Sequence, residues 1–189
     1  MRSTAKYAAA AVLLMSLPMT VPAQQDAFGA VDTVWVELTK IDSYNWSINL
    51  SYFNDQPVVG MSVPLKMTAG LNRIVADSCI YKGGRAEHFA VRAFRADTAI
   101  QCVTLGMIGS LSARKNRMEA GKGRLATIFV SSIEDKPVDR LVVDTTTTHP
   151  HNSLEVIADS VQGVPPDTIK ITDLEQRKII PAFVIIKPQ

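Results

Sequence analysis

Apolar and polar residues alternate with a period of two along most of the chain, whereas a period of 3.6 is hard to find. In residues 46–53, Trp46, Ile48, Leu50 and Tyr52 fall on one face, and two serines and an asparagine fall on the other. Because successive side chains of a strand point to opposite faces, this pattern is typical of a strand with one buried face.

Further runs of this kind are separated by segments rich in turn-forming residues, such as KGGR at 82–85 and GVPPD at 163–167. The predicted strands are residues 31–38, 46–53, 60–67, 73–81, 89–94, 99–108, 124–131, 141–147, 153–158 and 181–187. Residues 172–178 allow at most one helical turn. Many short strands without a long amphipathic helix indicate an antiparallel sandwich or barrel.

One predicted strand contains a proline. Residues 53–67 read FNDQPVVGMSVPLKM, in which a polar turn is followed by apolar residues at every second position, and Pro64 falls on the polar face. Proline has no backbone N–H to donate to a neighbouring strand. We therefore expect this strand to be an edge strand or to carry a bulge at Pro64.

The first 23 residues have the features of a targeting signal. Arg2 and Lys6 precede an apolar run over residues 8–17, and a small-residue boundary ends at Ala23. This predicts a secretory signal peptide over residues 1–23, cleavage near Ala23, a secreted, periplasmic or cell-envelope location, and a single domain over residues 24–189. The run is shorter than the roughly 20 apolar residues of a membrane span.

Charge and cysteine content narrow the function further. The signal segment contains two of the 20 Lys and Arg and none of the 18 Asp and Glu, so the remainder is near neutral. A near-neutral domain lacks the positive field that nucleic-acid binding uses.

The sequence leaves two alternatives open for its two cysteines. Cys79 and Cys102 either form one disulfide in an oxidising compartment or are two small buried apolar side chains.

No segment predicts an enzyme, a cofactor or a metal site. His149 and His151 are two positions apart in a turn and lack the further ligands of a zinc site. No nucleophile elbow is present, and the glycines around Lys122 lack the Ser or Thr of a phosphate-binding loop. We therefore expect a non-catalytic protein.

Trp35 is a candidate binding residue. If Val34, Val36 and Leu38 face the core, Trp35 points outward, where an exposed ring can stack on a sugar or anchor a partner. The alternative is that another part of the chain covers the ring.

The order of segments resembles that of a cohesin-like domain. The segments that carry the resemblance are VDTVWVEL, a second strand ending in FND, PVVGMSVPLKM, IVADSCIYKGGRAEH, AIQCVTLGMIG, GKGRLATIFVSS and PAFVIIKP. The resemblance implies an all-β fold: an antiparallel two-sheet β-sandwich with jelly-roll topology and about nine strands. It also implies a binding module that mediates protein–protein assembly or adhesion.

Cohesins bind dockerins, in many cases through Asn and Asp on the outer face of the third strand. The matching positions here are Ser62, Pro64 and Lys66. Proline cannot donate a hydrogen bond and lysine cannot accept one, so a dockerin-like partner is not expected in the usual mode. We take Trp35, Ser62, Lys66 and Gln101 as the candidate binding face, with a protein as the partner and a polysaccharide as the alternative.

Overall fold

The computed structural model describes residues 29–110, 116–147, 153–159 and 177–186. The strands are β1 (Thr33–Lys40), β2 (Asn45–Asn54), β3 (Val58–Thr68), β4 (Ile74–Ile80), β5 (Val91–Asp97), β6 (Cys102–Ile108), β7 (Gly121–Ser132), β8 (Val142–Thr145), β9 (Glu155–Ala158), β10 (Lys178–Ile179) and β11 (Ala182–Ile186). Each of the ten predicted strands has a counterpart. The cohesin-like resemblance implied about nine strands, whereas the described residues form eleven, of which β10 has only two residues.

The strands form two stacked sheets, as the fold prediction requires. Sheet A has the order β11-β1-β2-β7-β4, and sheet B has the order β10-β9-β3-β6-β5, with β8 also paired to β3. All pairs are antiparallel except β1 with β11, which run parallel. The closing strand therefore departs from the purely antiparallel sandwich that the sequence predicts.

The core lies between the sheets and is built from the alternating apolar residues. On β2 the inner face carries Ile48, Leu50 and Tyr52, and on β3 it carries Val63 and Leu65, all fully buried. Burial of a large apolar side chain contributes about 1.5–3 kcal/mol. These facing rows form the core, and the residues that alternate with them point to the outer faces of the two sheets.

The prediction that β3 is an edge strand is wrong. The strand pairs with β6 from Gly60 to Lys66 on one side. On its other side it pairs with β9 up to Ser62 and with β8 from Leu65 onward. Pro64 lies between the β9 pairing and the β8 pairing. In the described part of the chain, neither strand pairs with β3 at this position, so neither requires the N–H that proline lacks. The bulge in β3 lies between Val58 and Gly60 rather than at Pro64.

The predictions for residues 1–23, for His149 and His151 and for most of residues 172–178 concern segments outside the described residues. No helix in the described part of the chain has the length and apolar character needed to cross a membrane.

Candidate functional site

The structure does not bring the four predicted binding residues onto one face. Ser62 and Lys66 lie on the outer face of β3 in sheet B. Trp35 lies on the outer face of β1 in sheet A, paired with Ser51 and partly exposed. Ser62 and Lys66 therefore share a surface from which Trp35 is separated by the whole core.

Gln101 is part of a turn rather than of a sheet face. It adopts a φ of 51° directly before β6. Its backbone O accepts a hydrogen bond from the N–H of Met67 at 2.9 Å, and its Oε1 accepts one from the N–H of Ile74 at 3.3 Å. These contacts tie β3 and β4 to the turn, which is a structural role.

The outer face of sheet B, called the docking face below, is arranged in rows that cross the strands. The rows are Ile157, Gly60, Ile108 and Val91; then Glu155, Ser62, Gly106 and Ala93; then Pro64, Thr104 and Arg95; then Asp144, Lys66, Cys102 and Asp97. The first row is apolar, and its Ile108 is 41% exposed. The second row is made of small residues, except for Glu155, and the last row carries most of the charge.

The two glycines of the docking face keep its surface low, and neither is there to avoid a steric clash of a Cβ. A Cβ added at Gly106 would meet only the Cβ of Ala93, at 3.7 Å, and one at Gly60 would meet nothing closer than 3.7 Å. These are ordinary van der Waals distances. At Gly109, by contrast, a Cβ would lie 1.7 Å from the backbone O of Asn116. Gly109 is needed for chain packing, whereas a Cβ at Gly60 or Gly106 would make only ordinary contacts.

The charged side chains at the rim are held by local contacts. Lys66 Nζ donates to the backbone O of Ile100. Asp97 Oδ1 accepts from the N–H of Ala99 at 3.0 Å. On the opposite side Lys178 Nζ lies 3.4 Å from Glu155 Oε2. The rim is thus polar and positioned, while the middle of the face is small and apolar.

On sheet A, Trp35 is confirmed to point outward, away from Val34 and Val36, which are both fully buried. The Nζ atom of Lys122 lies 4.2 Å from the centroid of its indole ring. An ammonium over the ring is a favourable cation–π contact. Within the described residues, the Lys122 side chain lies over the ring, and Trp35 remains partly exposed.

Both cysteines are free thiols, and they lie on different sheets. Burial raises the pKa of the Cys79 thiol, which contacts the Tyr81 hydroxyl. Cys102 is buried, and its Sγ lies 3.5 Å from the backbone O of Ile100. The structure therefore has two unbridged thiols, of which Cys102 is buried and Cys79 is half-buried.

An open depression of about 390 Å³ lies at the end of the sandwich where β7 begins. The residues that line it include Arg85, His88, Arg117, Glu119 and Lys122. Arg117 forms ion pairs with Glu119 at 2.7 Å and Asp159 at 2.9 Å, and its hydrogen bond to Glu119 raises its pKa. The charge of Arg117 is thus already neutralised in the depression.

Arg85 has a structural role in the same depression. Its Nη1 donates to Asn54 Oδ1 and to the backbone O of Gly121, both at 2.6 Å, and its Nη2 donates to the backbone O of Glu119. Partial burial lowers its pKa. The guanidinium is committed to the chain's own acceptors. In the described part of the chain, no group of three or more His, Cys, Asp and Glu is placed to hold a metal ion.

The alternation of residues predicts the strand over residues 99–108 that contains Gly106, but it does not single out the glycine as a functional residue. The signal was present, because a glycine inside a strand often marks a place where another molecule or backbone approaches closely. Ile157 and Ala93 could not have been found in this way. Ile157 pairs with Gly60 and Ala93 pairs with Gly106, and only the folded sheet defines this register.

Comparison with known proteins shows what this architecture is similar to. No protein-family model matches the chain, and no curated protein matches it. Solved structures do match. One is the sixth cohesin of scaffoldin B from Acetivibrio cellulolyticus, with a TM-score of 0.56 and 3% identity over 84% of this chain and 100% of the other. The fold is cohesin-like.

Two more cohesins support the same assignment. A type I cohesin–dockerin complex from Clostridium thermocellum matches with a TM-score of 0.52 and 8% identity, over 84% of this chain and 90% of the other. The seventh type I cohesin of scaffoldin ScaB from Pseudobacteroides cellulosolvens matches with a TM-score of 0.51 and 9% identity, over 83% and 94%. At these identities the likeness establishes the cohesin-like sandwich and nothing about individual binding residues.

Proposed function

We propose that this protein is an exported, non-catalytic binding module that docks a protein partner on the docking face of sheet B. The observation that carries the proposal is the pair of glycines, Gly60 and Gly106. A Cβ would fit at both positions without a close contact, yet both residues are glycine and the outer surface is low there.

The layout of this face suits protein recognition. Protein interfaces have an apolar centre inside a polar rim, and a few central side chains carry most of the binding free energy. Here Ile108 is the exposed apolar anchor, next to Val91 on β5. The charged residues at the rim, such as Arg95 and Glu155, would fix the orientation of the partner more than its affinity.

The solved cohesins support a protein partner. Those from Acetivibrio cellulolyticus and Clostridium thermocellum are described as complexes with dockerins. This chain has Ser62, Pro64 and Lys66 where many cohesins place Asn and Asp, and Lys66 is turned toward the backbone O of Ile100. We therefore propose a partner that binds by apolar contact across the glycines, rather than a dockerin bound in the usual mode.

Export rests on the signal-like first 23 residues. The test is the N-terminal sequence of the protein recovered from the source cells. A first residue near Gln24 in the envelope or medium supports export, and an intact N-terminus in the cytoplasm contradicts it.

The docking proposal is tested with Gly106→Arg, which adds a long side chain to the face at a position where the added Cβ makes only an ordinary contact. Immobilised wild-type protein, Gly106→Arg and the matched control Gly106→Ala are exposed to the secreted proteins of the source organism. A protein retained by the wild type is then titrated calorimetrically against all three, with and without soluble sugars.

We expect Gly106→Arg to weaken binding by about 100-fold or more, equivalent to ~2.7 kcal/mol, and Gly106→Ala to retain most of the affinity. Added sugars should have no effect. A partner whose affinity is unchanged by Gly106→Arg binds elsewhere, and that result would overturn the assignment of the face.

A further inference from the structure

We propose that the outer face of sheet A carries a second binding site, for an acidic oligosaccharide such as a chain of uronic acids. The site is the aromatic–cationic patch, which we define as Trp35, Phe53, Lys122 and Arg124. The patch lies on sheet A and the docking face lies on sheet B. A ligand could therefore bind the patch whether or not a protein is bound to the docking face.

The patch is built by register on β1, β2 and β7. In one row Phe53 of β2 pairs with Thr33 on one side and Lys122 on the other. In the next row Ser51 pairs with Trp35 and Arg124. Two aromatic rings and two cations therefore occupy neighbouring positions on one side of the sheet.

A β-bulge gives this side its charge. Between β2 and β7 the register passes from Leu50 with Ala126 to Ser51 with Arg124, which leaves Leu125 as an extra residue. Leu125 and Ala126 are both fully buried. Thr127 points to the outer face. If the strand alternated strictly from Thr127 back toward its start, Arg124 and Lys122 would point into the core. The bulge thus re-aims both cations to the outer face.

The next feature of the patch is the charge of its two cations. In the described part of the chain no ion pair joins Lys122 or Arg124 to a carboxylate. Lys122 Nζ lies over the Trp35 ring, and Arg124 Nη2 donates to the backbone O of Lys82 at 2.6 Å. These contacts position the charges and leave them free to attract an anion.

The chemistry of the patch fits a sugar ring that carries a carboxylate. An indole ring offers a flat apolar surface for the C–H face of a pyranose, and Ser51 and Asn49 beside it offer a hydroxyl and an amide for its hydroxyl groups. The ammonium of Lys122 lies over that ring, 4.2 Å from its centroid. A neutral sugar would displace it without compensation, whereas a uronate would exchange the cation–π contact for an ion pair.

The experiment uses the full mature chain and soluble polymers. Binding of polygalacturonate, of neutral hydroxyethylcellulose and of poly-glutamate is measured by calorimetry for the wild type, Trp35→Ala, Lys122→Gln and the control Lys136→Gln. Lys136 is an exposed lysine in the loop after β7 that pairs with Glu134. Thermal unfolding of each variant confirms that it is folded.

We expect polygalacturonate to bind the wild type and Lys136→Gln, with affinity falling as salt rises from about 20 mM to about 0.5 M. Trp35→Ala and Lys122→Gln should each lose about tenfold or more. Hydroxyethylcellulose should not bind the wild type.

Three results would overturn the proposal: no binding of polygalacturonate, binding unchanged in both patch variants, or equal binding of poly-glutamate, which would identify the patch as a site for acidic peptides. Gly106→Arg serves as the cross-control and should bind polygalacturonate like the wild type. Loss in that variant alone would place the polysaccharide on the docking face, which also contradicts the patch. Failure of the patch leaves the docking proposal intact, because that proposal is tested by protein capture.

Discussion

The two outer faces of this sandwich share one core but are built in opposite ways. The docking face of sheet B is kept low by Gly60, Gly106 and Ala93. The outer face of sheet A carries large side chains, of which Trp35 and Phe53 are aromatic. A low face suits a broad partner, and a face with projecting rings suits a small one. The inner residues determine the fold, so the outer residues are free to make these two surfaces different.

The largest effect we predict separates a glycine that the fold needs from one that it does not. Gly109→Ala should lower the free energy of unfolding by about 3 kcal/mol or more, because its Cβ would lie 1.7 Å from the backbone O of Asn116. Gly106→Ala, three residues earlier on the same chain segment, should raise it by about 0.5 kcal/mol, since glycine in a strand loses more entropy on folding.

Urea unfolding of the two variants measures this difference. A large destabilisation by Gly106→Ala would mean that the level surface of the docking face is a packing requirement, and the functional argument built on that glycine would fail.

Arg85 supports one face more than the other. Its guanidinium joins the end of β2 to the segment that begins β7, the strand that carries Lys122 and Arg124 outward. Arg85→Ala should lower the free energy of unfolding by about 3 kcal/mol, because it leaves several acceptors without their charged donor. It should also weaken polygalacturonate binding.

Arg95→Ala is the matched control for Arg85→Ala. This arginine is exposed on the docking face, and its removal should change the free energy of unfolding by no more than about 0.5 kcal/mol. Equal effects of the two variants would show that Arg85 does not anchor the start of β7.

A smaller effect is expected at a hydrogen bond between neighbouring strands of sheet A. Thr127 is 8% exposed, and its Oγ1 donates to Asn49 Oδ1 at 2.9 Å. Thr127→Val keeps the shape and removes the donor, so the free energy of unfolding should fall by about 1 kcal/mol. The same change at the exposed Thr39 should have little effect. Chemical denaturation of both variants would show whether this outer face is held by its polar side chains.

The sequence predicted the sandwich because alternation depends only on local residues. Trp46, Ile48, Leu50 and Tyr52 were assigned to the core from their spacing, and all four are buried. The outward direction of Trp35 followed from the same rule. The cohesin-like order of segments was also visible, because each strand signature is a continuous stretch of sequence.

What the sequence could not supply was register. Pro64 was predicted to lie at an edge or a bulge, since nothing local reveals that β9 and β8 divide the other side of β3 between them. In the same way, the placement of Lys122 over Trp35 depends on a bulge at Leu125, and Leu125 is 90 positions from Trp35 along the chain. Pairing between distant strands decides which outer residues meet.

The smallest effect we predict is a loss of stability in alkali, and it comes from the side of the sandwich where the two sheets meet. Burial raises the pKa of Cys79 and of Tyr81 above their usual values of 9.0 and 10.0. The unfolded chain therefore releases these protons at a lower pH than the folded chain does. Stability from these two groups is present in full below pH 9 and declines as the pH rises above it.

Tyr81 also links the two faces, because its hydroxyl donates to the backbone O of Ala93 on β5 at 3.0 Å. Urea midpoints measured between pH 7 and pH 10 should fall less steeply in Cys79→Ala/Tyr81→Phe than in the wild type. Tyr44→Phe, which alters a tyrosine that is 43% exposed, should keep the wild-type slope. If the double variant also keeps that slope, the alkaline loss arises elsewhere, and the contact between β4 and β5 does not couple the edge of the docking face to the ionisation of Tyr81.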